Sequence, residues 1–127
     1  MHHTYTTAAR ELQRLASDLA SLVHETSVQA DAVTRTAERA ASSAVVADLT
    51  PEGPTAAASA ADAWTVAAQN LAHRAALADI TLYAATLARN MGGVDYVPRA
   101  TLRADYTRHS AALARTNADH WHARAKA

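Results

Sequence analysis

The chain has 127 residues, twelve basic and twelve acidic side chains, a formal net charge of zero, and no cysteine. Disulfides and thiolate metal sites are thereby excluded, and the neutral balance is unlike that of a strongly basic nucleic-acid coat. Half the residues are hydrophobic, yet more than a quarter of the chain is alanine and phenylalanine is absent. Burying a leucine is worth about 1.5–3 kcal/mol, and an alanine methyl far less, so the expected core is thin. Alanine is also the best helix former and lets backbones approach closely, which predicts long helices in extensive contact.

The charge is unevenly placed. Residues 1–97 hold six arginines against ten acids, a net −4, while residues 98–127 hold five arginines and Lys126 against Asp105 and Asp119, a net +4. Such asymmetry points to a basic segment for an acidic partner, or to self-complementarity.

The first predicted helix covers residues 4–48. Tyr5, Leu12, Leu19, Thr26, Val33, Ala40 and Ala47 recur every seven positions, with Ala8, Leu15, Leu22, Gln29 and Thr36 three later. Beside them runs a third row of Ala9, Ala16, Val23, Ala30, Ala37 and Ala44. This spacing marks one face of a helix packed against other helices and is not a strand pattern. Glu11, Asp18 and Glu25 flank the stripe at the same interval, where helix pairs carry the charges that select partner and orientation. Arg99, Arg103 or Arg124 of the third helix is the expected basic counterpart, the alternative being that the acids form a solvated edge. Thr26 and Gln29 interrupt the apolar layers, either as a register-fixing polar layer or as wet positions.

Thr50-Pro51-Glu52-Gly53-Pro54-Thr55 ends that helix, because two prolines and a glycine do not continue a helix interior. Thr50 or Thr55 is expected to cap the second helix, over residues 55–91, with Pro51 or Pro54 in its first turn. Its first half shows a stripe of Ala60, Trp64, Ala67 and Leu71. Its second half is apolar on several sides, through Leu77, Ile80, Leu82, Tyr83, Leu87 and Met91, as befits a central helix. Gly92-Gly93 supplies a left-handed stop. The third helix, over residues 98–123, aligns Leu102, Tyr106, His109, Leu113, Asn117 and His120, with Trp121 beside them. The fold expected is all-α: one domain over residues 1–127, a long antiparallel helical hairpin plus a shorter third helix, forming an oligomerising three-helix bundle.

Chemistry-bearing patterns are sparse. Asp105 and His109 have helical ligand spacing but make only half a metal site, and His120 and His122 diverge around the axis. The serines lack a nucleophile-elbow context and Gly92-Gly93 is not followed by a phosphate-loop lysine. No catalytic residue, metal or cofactor is assigned, and the chain is read as non-enzymatic. Arg108, Arg115 and His122, seven apart, form a basic face that offers an alternative role as a small DNA-binding regulator. Arg10, Glu11, Arg14, Asp18 and Glu25 leave no apolar run for a signal peptide, and the apolar segment over 75–91 carries Asp79 and Arg89. The expectation is a soluble chain without membrane insertion, cytoplasmic or exported by a leaderless route.

The opening run Ala9-Arg10-Glu11-Leu12-Gln13-Arg14-Leu15-Ala16 and Trp64 early in the second helix resemble the WXG-type substrates of type VII secretion. The likeness is to their looser relatives, since Trp64 is followed by Thr65-Val66 and no acid lies four residues after Tyr83, Tyr96 or Tyr106. The resemblance implies paired helical hairpins, exported folded, that act as effectors or partners. From the residues themselves, the expected function is a helical protein–protein interaction module binding a helical partner, a second copy of itself included. Leu12, Leu15, Leu19, Leu22 and Val33 form the contact stripe, with Glu11, Asp18 and Glu25 as its selecting edge.

Overall fold

The computed structural model describes the backbone of residues 2–127 and the side chains of residues 7–127, so the side chain of Tyr5 lies outside the described residues. The chain is all-α: α1 (His2–Glu25), α2 (Ser27–Ala47), α3 (Gly53–Asn90) and α4 (Val97–Lys126). Among the described residues there is no strand.

The helix expected over residues 4–48 is interrupted at Thr26. The Val23 carbonyl accepts from the Thr26 hydroxyl at 2.9 Å and from the Arg74 guanidinium at 3.3 Å. Side chains inserted into the i→i−4 ladder bend helices. The turn is not wholly lost, because the Thr26 N–H still donates to the Leu22 carbonyl at 3.0 Å.

The connection after α2 departs from the expected capping. The Thr50 hydroxyl donates to the Ala47 carbonyl at 2.7 Å, closing α2 rather than opening α3. Helix α3 begins at Gly53, with Pro54 in its first turn. A Cβ at Gly53 would stand 3.0 Å from the Ala47 carbonyl oxygen, so the tight turn favours glycine there.

At the far end of α3 the expected glycine stop is present in full. Gly92 has φ 87°, its N–H donates to the Arg89 carbonyl at 3.0 Å, and the Gly93 N–H donates to the Ala88 carbonyl at 2.8 Å. This is a Schellman arrangement, which satisfies carbonyls the helix end would otherwise orphan. The Asp95 carboxylate then accepts from the Val97 N–H at 3.1 Å, capping α4.

The chain forms two compact units. The first comprises residues 1–26 and 73–108, and the second residues 27–72 and 109–127. In the second unit one apolar cluster joins Ala30, Ala37 and Ala44 of α2, Ala60, Trp64, Ala67 and Leu71 of α3, and Ala114, Ala118 and Trp121 of α4. The stripe read in the first half of the second predicted helix is therefore buried throughout. In the first unit the corresponding cluster is small: Ala16, Ala84, Ala85 and Ala100, with Leu82 and Val97 packed against it. Val23, Thr81 and Thr107 are buried in the same unit. Both threonine hydroxyls are satisfied by carbonyls of their own helix, Leu77 for Thr81, and Arg103 and Ala104 for Thr107.

The interior is built mostly from small residues, with Val23, Trp64, Leu71 and Trp121 the large apolar side chains buried among them, while many other large apolar side chains stand outside it. Along α1 and α2 the buried row is Ala9, Ala16, Val23, Ala30, Ala37 and Ala44, while the leucine row of Leu12 and Leu19 is only half-buried. On α4 the arrangement reverses the sequence expectation. Ala100, Ala104, Thr107, Ala114, Ala118 and Trp121 are buried, whereas Leu102 is 73% and Tyr106 69% exposed, with Leu113 and His109 exposed as well. Both sets have the three–four spacing of a helix stripe, so apolarity alone did not mark the inner one. On α3, Ile80 and Tyr83 are exposed and Leu77, Leu82 and Leu87 half-buried, as is Met91 in the turn that follows.

Candidate functional site

The residues expected to meet a partner divide by depth. Leu12, Leu19 and Val33 are half-buried, and Val33 packs against the apolar cluster of the second unit. Leu15 and Leu22 are 48% and 42% exposed. Glu11, Asp18 and Glu25 are exposed beside them. Arg124 pairs with Asp48 at 2.6 Å, and neither Arg99 nor Arg103 forms an ion pair with a described residue. Of the interrupting polar pair, Thr26 is half-buried and closes the end of α1, while Gln29 is exposed.

The basic row of α4 is partly engaged. Arg108 donates from its Nη2 and Nε to one Asp79 oxygen at 2.9 and 3.3 Å and approaches Asp105 at 3.4 Å. The hydrogen bond and charge of Asp79 raise the Arg108 pKa above its ordinary value, so this guanidinium stays charged. Arg115 and His122 border a hollow of about 570 Å³ that also receives Asp119 and Gln69. The His122 Nε2 lies 3.1 Å from the Thr65 hydroxyl.

Asp105 and His109 are exposed, and Asp105 already faces Arg108. Among the described residues no three histidines or carboxylates come together as a metal site would require, and no helix is long and apolar enough to cross a membrane.

One feature escaped the sequence reading. In the first unit a cleft of about 410 Å³ lies among α1, α3 and the start of α4, bordered by Arg14, Arg99 and Arg103 and by no carboxylate. Arg99 and Arg103 stand one turn apart on α4, while Arg14 comes from α1, so local pattern does not bring all three cations together. A second such hollow, of about 700 Å³ near the α2–α3 connection, contains the Asp48–Arg124 pair and is internally neutralised. No protein-family model, curated protein or solved structure matches the chain.

Proposed function

We propose that this protein is a non-enzymatic helical interaction module, built as an antiparallel hairpin with a third helix, that associates with helical partners including a second copy of itself. The observation that carries the reading is the inverted distribution of apolar side chains in the first unit. Alanines, threonines and Val23 fill its interior, while Leu15, Leu22, Ile80, Tyr83, Leu102 and Tyr106 are exposed. Large apolar side chains contribute most when fully removed from water, and contiguous exposed patches mark interaction surfaces. Leu15 and Leu22 are the chosen contact, because the exposed row Glu11, Asp18 and Glu25 beside them supplies the selecting charge. A second copy is the partner favoured, since the −4 and +4 portions of one chain complement those of another. The resemblance to WXG-type substrates, a family of pairing hairpins, fits this reading. Nucleic acid is a poorer match to α4, where Arg108 is already held by two carboxylates.

Light scattering on the purified protein tests the proposal. A mass above that of one chain at micromolar concentration is expected. The double substitution Leu15→Asp and Leu22→Asp should return it to one chain with helical circular dichroism retained. A single-chain mass for the unsubstituted protein across the accessible concentration range overturns the self-association.

A further inference from the structure

We propose that the cleft bordered by Arg14, Arg99 and Arg103 is a binding site for a small phosphate monoester. Arg14 and Arg99 are exposed and Arg103 is half-buried, and none of the three has an ion pair with a described residue. Surface arginines are ordinarily either scattered or answered by carboxylates, as Arg108 is by Asp79 and Arg124 by Asp48. Here three permanently charged arginines line one concavity that has no acid on its lining. Glu25 shares an adjoining hollow with Arg103 but makes no ion pair with it. Like charges focused by a low-dielectric concavity raise the local concentration of anions.

The remaining lining narrows the class of anion. Guanidinium groups offer parallel N–H donors that match phosphate oxygens in pairs. Hydroxyls at Tyr96 and Ser17 and the amide of Gln13 add donors on the same cleft. The Gln13 amide is held close against Gly93, where a Cβ would come within 2.6 Å of its Nε2. Tyr96 immediately precedes α4 and Arg99 lies in its first turn, at the positive dipole end that favours negative charge nearby. The buried alanines Ala16, Ala85 and Ala100 give the cleft an apolar floor on which the organic part of an ester can lie. A volume of about 410 Å³ suits a small molecule rather than a macromolecular segment. Charge for a dianion and a methyl-lined floor beside it together specify an ester over inorganic phosphate. This inference is independent of self-association.

Phenyl phosphate serves as the probe, titrated calorimetrically into the full chain at physiological salt, with inorganic phosphate and citrate in parallel. Saturable one-to-one binding of phenyl phosphate, at least tenfold tighter than either inorganic anion or citrate, is expected. The variant Arg99→Gln with Arg103→Gln should weaken it at least tenfold. Arg35→Gln with Arg39→Gln, the same charge change on α2, should leave it unaltered, with circular dichroism confirming the fold of both. Absence of saturation, equal weakening by the α2 variant, or citrate binding as tightly as phenyl phosphate each overturns the proposal. So does a change of oligomer mass in the Arg99, Arg103 variant with unchanged phenyl phosphate affinity, which would make the cleft a contact between copies.

Discussion

At the scale of single residues, the two adjacent glycines after α3 serve different purposes and should respond differently to the same substitution. Gly92 is in the left-handed region with nothing within 4 Å of a built Cβ, so only the backbone conformation resists a side chain there. Gly92→Ala is expected to cost about 1–2 kcal/mol, the steric penalty of that conformation for an L-residue. Gly93 has no such φ, but its Cβ would stand 2.6 Å from Gln13 Nε2 and 2.8 Å from the Ala88 carbonyl oxygen. Gly93→Ala should therefore destabilise by more than Gly92→Ala. Adding Gln13→Ala should recover only part of the loss, because the backbone clash remains. Chemical denaturation of the three variants checks the order, and a Gly93→Ala protein as stable as the parent would contradict the close packing.

Within a helix, α4 shows how a seam of small residues changes the rules for substitution. Ala104 is fully buried, so Ala104→Leu forces three extra carbons into a closed contact and should destabilise by about 1–3 kcal/mol. Leu102→Ala removes more apolar surface but does so in solvent, and in the isolated chain should change stability by no more than about 0.5 kcal/mol. Reversal of that order in thermal melts at low concentration would mean that the leucine side is the covered one.

The same helix explains what was legible in the sequence and what was not. Heptad recurrence is a property of spacing, and it located the row of Ala9, Ala16, Val23, Ala30, Ala37 and Ala44 and the stripe of Ala60, Trp64, Ala67 and Leu71. Deciding which of two parallel stripes faces inward normally rests on side-chain size. That criterion fails when helices approach closely enough for methyl groups to fill the space between them, as at Ala100, Ala104, Ala114 and Ala118. Leu102, Tyr106 and Leu113, aligned on the larger-residue stripe, are accordingly exposed. The break at Thr26 was also beyond local pattern, because Arg74, forty-eight positions later, supplies one of the two donors that occupy the Val23 carbonyl. Of the arginine cleft, Arg99 and Arg103 stand one turn apart on α4, but Arg14 of α1 joins them only in the fold.

For the whole molecule, the two units differ in the means by which they exclude water. The second unit encloses Trp64, Leu71 and Trp121 among its alanines, whereas the apolar cluster of the first is four alanines with Leu82 and Val97 against them. Buried area per residue is the main favourable term, so the first unit is the less stable on its own contacts. Both units expose large apolar side chains, the second Leu49, Leu113 and four valines, the first Leu15, Leu22, Leu102, Ile80 and tyrosines, and in the first unit their cover by another chain would supply what its interior lacks. Binding that occurs only in the folded state stabilises by mass action, and the transition temperature then rises with concentration. Amide hydrogen exchange should accordingly show residues 73–108 opening more readily than residues 53–72 in dilute protein. Raising the concentration about a hundredfold should slow exchange in the first unit more than in the second and raise the melting temperature. With Leu15→Asp and Leu22→Asp in place, both concentration effects should disappear. Exchange in residues 73–108 that is as slow as in residues 53–72 at every concentration would show that alanine contacts suffice for the first unit, and that its exposed leucines need no cover.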